Sequence, residues 1–146
     1  MSVITLSQAS TIVDVALKKA RENHLAPLTV AVLDAGGHLV AFKRDDGSSI
    51  LRPQIAEGKA WGVLGMGFGG REFARRAKAA PVFLTALMAA SGGRIVPVPG
   101  GVLIRSGEGT VLGSVGISGD TSDQDEACAV QGVKAAGLTP DTGEAP

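Results

Sequence analysis

Two apolar runs joined by Ser106-Gly107-Glu108-Gly109 constrain this chain more than any other feature. The first is Pro97-Val98-Pro99-Gly100-Gly101-Val102-Leu103-Ile104, and the second is Leu112-Gly113-Ser114-Val115-Gly116-Ile117-Ser118-Gly119-Asp120. They read as the strands of a hairpin, with the Ser-Gly-Glu-Gly stretch as its turn. Gly100, Gly101, Gly116 and Gly119 leave bare main chain for a ligand, a neighbouring chain or a sharp bend to approach. Successive backbone amides make a cradle for an anion or a carbonyl. The same glycines suit a tight bend at a sheet edge or a contact between subunits, so the segment marks a candidate site without naming its chemistry.

The rest of the chain supplies a matching hairpin and the helices to cover both. Residues 28–34 are rich in β-branched and apolar side chains, Ala35-Gly36-Gly37-His38 is a turn, and residues 39–44 return as a second strand. Upstream, Thr5 and Gln8 have the spacing of a capping box. Ala9, Ile12, Val13, Ala16, Leu17 and Ala20 then recur at helical spacing, and this helix ends near Asn23 or His24. Pro53 suits the first turn of a second helix, which Gly65, Gly67, Gly69 and Gly70 break up. Residues 71–79 read as a short basic helix, and Pro81 restarts a helical pattern that Ser91-Gly92-Gly93 stops. Thr121 caps a last helix that Gly137 ends. Residues 1–138 thus form one domain, and residues 139–146 read as a flexible C-terminal tail. Strands paired through tight turns are antiparallel, so the expected class is α+β, with helices covering an antiparallel sheet.

Composition narrows the function classes. Of 146 residues 45% are hydrophobic but only 3% are aromatic, so the core must be built from Ala, Val, Leu and Ile. Fourteen Lys and Arg balance fourteen Asp and Glu, and basic residues do not interleave with aromatic ones; no nucleic-acid partner is expected. The single cysteine, Cys128, has no partner for a disulfide, which points to a reducing compartment. There is no run of about 18 apolar residues and no basic-then-apolar leader, so the expectation is a cytoplasmic protein with no membrane partner.

The motifs also occur in a recognisable order. Val32-Leu33-Asp34-Ala35-Gly36-Gly37-His38-Leu39-Val40-Ala41-Phe42 comes first, then Ile55-Ala56-Glu57-Gly58-Lys59-Ala60, then Pro99-Gly100-Gly101, Gly116-Ile117-Ser118-Gly119 and Gln124-Asp125. Together they resemble the GlcG/HbpS family, the haem-degrading domain family that includes the C-terminal domain of PduO-type proteins. The similarity runs from about Leu6 to Leu138. It implies a profilin-like three-layer sandwich with a five-stranded antiparallel sheet flanked by helices. It also implies homo-oligomers from dimer to octamer, a small-molecule ligand, haem as the cofactor where there is one, and a frequent place in catabolic gene clusters.

Three readings follow. In the first, a haem- or tetrapyrrole-binding protein, the amides of Gly100 and Gly101 in the Pro99-Gly100-Gly101 loop, with Gly116 behind them, join Arg52 and Lys59 in holding acidic ligand groups. Lys59 is the lysine of the family's Lys-Ala pair, and Arg52 and Lys59 stand two turns apart on one helix face. In the second, a cofactor-independent catabolic enzyme of isomerase, lyase or hydrolase type acts on a small carboxylate- or carbonyl-bearing metabolite. There Arg52 anchors the substrate, the glycine loop stabilises an oxyanion, Lys59 assists, and Asp125 or Glu57 moves the proton; Asp125, the acid of the family's Gln-Asp pair, is otherwise a partner of Arg52 or Lys59. A third reading makes the glycines packing sites between subunits of a scaffold. His24 and His38 are the only histidines, each a candidate axial ligand of haem, as are Met66 and Met88. No spacing suggests a metal site held by the protein itself. Asp123, Asp125 and Glu126 also suit the start of a helix through its dipole, and Cys128 reads as a buried thiol.

Overall fold

The computed structural model describes residues 3–144. Its elements, in chain order, are α1 (Leu6–Glu22), β1 (Thr29–Asp34), β2 (Leu39–Arg44), α2 (Arg52–Met66), α3 (Gly70–Ala79), α4 (Pro81–Ala90), β3 (Gly101–Arg105), β4 (Val111–Ser118), α5 (Ser122–Ala135) and β5 (Thr139–Asp141). The five strands form one sheet in the order β2-β1-β4-β3-β5, every neighbouring pair antiparallel.

Strand alternation sorts side chains between two helical layers. Val30, Val32, Val102, Ile104, Val115 and Ile117 join Ile12, Val13, Ala16, Cys128, Ala129 and Val133 of α1 and α5 in one core. The other face carries α2, and there the middle of the sheet is built from small residues. Ala31 pairs with Gly116, and Gly116 pairs with Gly101, so one row across three strands has almost no side chain. Helix α2 sinks into that row. A Cβ on Gly116 would lie 1.9 Å from the Ala56 carbonyl oxygen, and one on Gly101 would lie 2.6 Å from that of Lys59. Ser114 Oγ donates to the Ala60 carbonyl at 2.7 Å, closing the contact with a buried hydrogen bond. The result is the expected α+β three-layer sandwich with a five-stranded antiparallel sheet.

The capping box of α1 is formed: Gln8 N donates to Thr5 Oγ1 at 3.1 Å, and Thr5 N donates to Gln8 Oε1 at 3.0 Å. His24 takes the left-handed conformation just beyond this helix, at φ 55°, and is exposed. The tail reading needs correction. Thr139–Asp141 is the edge strand β5, paired to β3, and Arg105 Nε holds Asp141 Oδ2 at 2.9 Å. Beyond it, the Thr142 carbonyl accepts from Arg71 N at 2.9 Å, docking the chain on the start of α3. Pro140 fits because an edge strand does not need every N–H. Residues 145 and 146, the rest of that segment, lie outside the described residues. The basic stretch on α3 is largely neutralised: Arg71 binds Asp123 and Glu126, and Arg75 and Arg76 both bind Glu72. Cys128 is buried and burial pushes its thiol up to about 11, so it packs as a small apolar side chain.

Candidate functional site

The structure gathers most of the sequence-selected residues in one place, beneath the α2 end of β4. Lys59 projects from α2 toward the sheet and is 3% exposed; Asp125, in the first turn of α5, is 1% exposed. Lys59 Nζ donates to the Ile117 carbonyl at 2.8 Å and to Asp125 Oδ2 at 3.2 Å, while Asp125 Oδ1 accepts from Asp120 N at 3.0 Å. Burial pushes the Lys59 ammonium below its ordinary range and the Asp125 carboxyl above its own, and the attraction between the two charges opposes both shifts. The nearby Arg52 charge lowers Lys59 a little further.

Arg52, half-buried at the start of α2, donates from Nη1 to Ser118 Oγ at 3.0 Å. The glycine loop folds around the same lysine. Gly100 has φ 111°, and a Cβ there would sit 2.8 Å from Lys59 Nζ. Its carbonyl accepts from Ile117 N at 3.0 Å. The bare sides of Gly100, Gly101 and Gly116 are therefore filled by α2, and Pro99 packs beside Gly70. Arg52, Lys59 and Asp125 are brought together with the glycines, but as an interior network. Glu57 is separated from them: it is exposed, on another side of α2.

That other side of α2 borders a cleft of ≈ 560 Å³. One wall is α2, with Leu51, Gln54, Ile55, Glu57 and Trp61; the second is the β1–β2 turn, with Leu33, Gly37 and Leu39; the third is the segment 93–96, with Arg94 and Val96. Gly58 lets this third wall close on the helix, since a Cβ there would meet Val96 Cγ2 at 2.7 Å and the Arg94 carbonyl oxygen at 2.8 Å. The Arg94 guanidinium carbon lies 3.9 Å from the centre of the Trp61 ring. Of the sequence-selected site residues, only Glu57 lines the cleft.

The β1–β2 turn carries a small polar device. Asp34 Oδ1 accepts from Gly36 N at 2.9 Å, from His38 N at 3.0 Å and from His38 Nδ1 at 3.2 Å. These bonds, the His38 amide first, hold the Asp34 carboxyl below the usual carboxylate range. A carboxylate on Nδ1 favours the tautomer whose Nε2 lone pair is free, the state in which an imidazole binds a metal. The His38 side chain is 81% exposed and lies in sequence between two cleft residues, Gly37 and Leu39. Among the described residues no group of three or more His, Cys, Asp or Glu side chains is placed to hold a metal ion. None of their helices is long and apolar enough to cross a membrane.

Sequence reasoning passed over Trp61 and Arg94. A signal for the first existed: Gln54, Gly58 and Trp61 recur at helical spacing on the cleft side of α2, and Trp61 is the chain's single tryptophan. Nothing local marked Arg94, which follows the Ser91-Gly92-Gly93 helix stop.

A family model described as haem degrading protein, HbpS-like, matches residues 4–134. No curated protein matches. Several solved structures share the fold. The PduOC:heme complex superposes with TM-score 0.83 at 22% identity, covering 97% of this chain and 99% of that one. Protein ORFY of Klebsiella pneumoniae, of the domain family DUF336, gives 0.85 at 27% identity, covering 94% and 92%. A double mutant of HbpS from Streptomyces reticuli gives 0.79 at 23% identity, covering 92% and 87%.

Proposed function

This chain belongs to the HbpS-like family of haem-degrading proteins, and on that premise we propose that it binds haem or a related tetrapyrrole in the cleft on the outer side of α2. The observation that carries the reading is the composition of that cleft. Leu33, Leu39, Leu51, Ile55 and Val96 give apolar walls, Trp61 gives a flat one, and Arg94 places one cation at the edge. The volume of ≈ 560 Å³ falls in the range of small-molecule sites, roughly 300–1,000 Å³. A porphyrin is flat, apolar over both faces and acidic at one edge, so these residues suit it. His38, held at Nδ1 by Asp34, is the imidazole of this chain best prepared to meet an iron. Bound haem would supply redox and ligand-exchange chemistry at its iron; the protein's part is to hold the macrocycle, keep water from its faces and set the histidine tautomer.

The enzyme reading built on Arg52, Glu57, Lys59 and Asp125 has less support. Lys59 and Asp125 satisfy each other in the interior, and a general base must reach its substrate. The interior network instead supports the wall of the cleft from behind, through α2.

Titrating the protein with haem should shift the Soret band and saturate at one haem per chain, with parallel loss of the emission of Trp61, the one tryptophan. A flat titration at micromolar protein would remove haem from the account.

A homo-oligomer belongs to the same proposal. All ten residues of α4 escape burial, and Val82 is 85%, Phe83 56% and Met88 38% exposed. A wholly uncharged helix in that condition is the kind of surface that mates with another copy. Sedimentation should show an assembly within the dimer-to-octamer range. Val82→Asp together with Phe83→Asp should reduce it to a smaller species at unchanged helix content; an unaltered sedimentation coefficient would clear α4 of the role.

A further inference from the structure

The cleft has a specific chemical preference, read from the cation at its edge. Within the described residues, most basic side chains have a carboxylate within 4.0 Å, for example Lys18, Arg21, Lys43, Lys59, Arg71 and Arg105. Lys19, Arg44, Arg52, Lys78, Arg94 and Lys134 have none there. Of these, Arg94 alone lines the cleft.

Its position is fixed by three contacts that leave its fork open. Gly92 and Gly93, at φ 66° and 77°, turn the chain sharply after α4. Consecutive left-handed residues are readily made only by glycine. The turn brings the Arg94 carbonyl oxygen and Val96 down on Gly58, where Val96 N donates to the Gly58 carbonyl at 3.2 Å. The guanidinium then comes to rest over the Trp61 ring, and Nε donates to the Ser91 carbonyl at 3.3 Å. The two Nη groups have no protein acceptor among the described residues. A guanidinium held over an indole while its outer nitrogens remain free is arranged for a bidentate acid. Gln54 and Glu57 are the other polar side chains on the walls, and neither offers a positive charge.

We propose that Arg94, held by Trp61, is the carboxylate-recognising residue of this cleft, and that the ligand class is a flat conjugated ring bearing a carboxylate at its edge. This rests on the cleft being the ligand site and deepens the haem reading: the propionate edge of the macrocycle would lie at Arg94, with a ring face along Trp61. The shared chemistry also admits a smaller aromatic acid, which the experiment separates.

Three probes are titrated by fluorescence or absorbance into the full chain and into Arg94→Gln and Arg94→Lys: metal-free protoporphyrin IX, its dimethyl ester, and 2-naphthoate. Circular dichroism and melting establish that both variants remain folded, as an exposed residue predicts. Wild type should bind the free porphyrin acid at least about tenfold tighter than the ester, the scale of one charged hydrogen-bonding pair. Arg94→Gln should lose that preference while leaving the ester unchanged, and Arg94→Lys should keep part of it. Equal binding of the free acid by wild type and Arg94→Gln overturns the assignment of Arg94 and leaves porphyrin binding standing. Arg94-dependent binding of naphthoate without any porphyrin binding keeps the assignment and overturns the haem reading. Absence of binding by all three probes overturns both.

Discussion

Gly116→Val should abolish folding. The added Cβ would lie 1.9 Å from the Ala56 carbonyl oxygen and 2.7 Å from Ala60 N, both backbone atoms of the helix that covers this face of the sheet. A flexible side chain at such a distance would move aside; a helix backbone moves only by lifting away from β1, β3 and β4 together. Overpacking a core ordinarily costs about 1–3 kcal/mol. Displacing a whole helix exceeds that and removes much of the roughly 5–15 kcal/mol by which a domain is stable. Far-UV circular dichroism and soluble yield read the result directly. Gly107→Ala, in the open turn between β3 and β4 where a Cβ meets nothing within 4 Å, is the matched control and should melt like wild type. A Gly116→Val chain with a wild-type melting curve would show that α2 does not depend on the bare row.

Asp125→Ala should be nearly as damaging, and its pH dependence is diagnostic. It leaves the Lys59 ammonium buried, with only the Ile117 carbonyl as partner. Removing one member of a buried pair costs about 3–5 kcal/mol, because the other charge stays uncompensated. Lys59 is already held below its ordinary value of 10.5 by burial, and loss of its carboxylate lowers it further. Between the folded and unfolded values the unfolded chain then binds more protons than the folded one. Stability of the variant must therefore rise as pH climbs through that window. The double variant Lys59→Met with Asp125→Leu removes both charges and should recover most of the loss, since apolar replacement of a buried pair is often neutral or better. Denaturant midpoints for Lys59→Met, Asp125→Leu and the double variant made of the two complete the cycle. Additive losses, with no recovery in the double, would mean that the two residues act independently.

What could be read from the chain alone followed from local rules. Thr5 and Gln8 announced the start of α1, and the glycine-containing turns announced both hairpins, because these signals need no distant partner. β5 was missed for the opposite reason: Thr139-Pro140-Asp141 is too short for alternation and is defined by pairing with β3. The glycines at 100, 101 and 116 were legible as places of close approach but not as to what approaches. A missing Cβ admits a ligand and a helix equally, and only the packing of α2 decides. The pairing of Lys59 with Asp125 joins residues far apart in the chain, so no spacing rule gives it; the family resemblance offered Asp125 as a partner of Arg52 or Lys59 alike, and the fold selects Lys59. The cleft is harder still, since Gly37, Leu51, Trp61 and Arg94 meet only through tertiary structure.

The two sides of α2 carry separate duties. Ala56, Lys59, Ala60 and Val63 seat it on the sheet, whereas Gln54, Glu57 and Trp61 look into the cleft. Substitutions at these three positions therefore escape the steric veto that governs the seated side and Gly58, where the segment 93–96 closes on the helix. Such a scaffold leaves a handful of outward side chains exchangeable while the seated face, and the architecture with it, stays fixed.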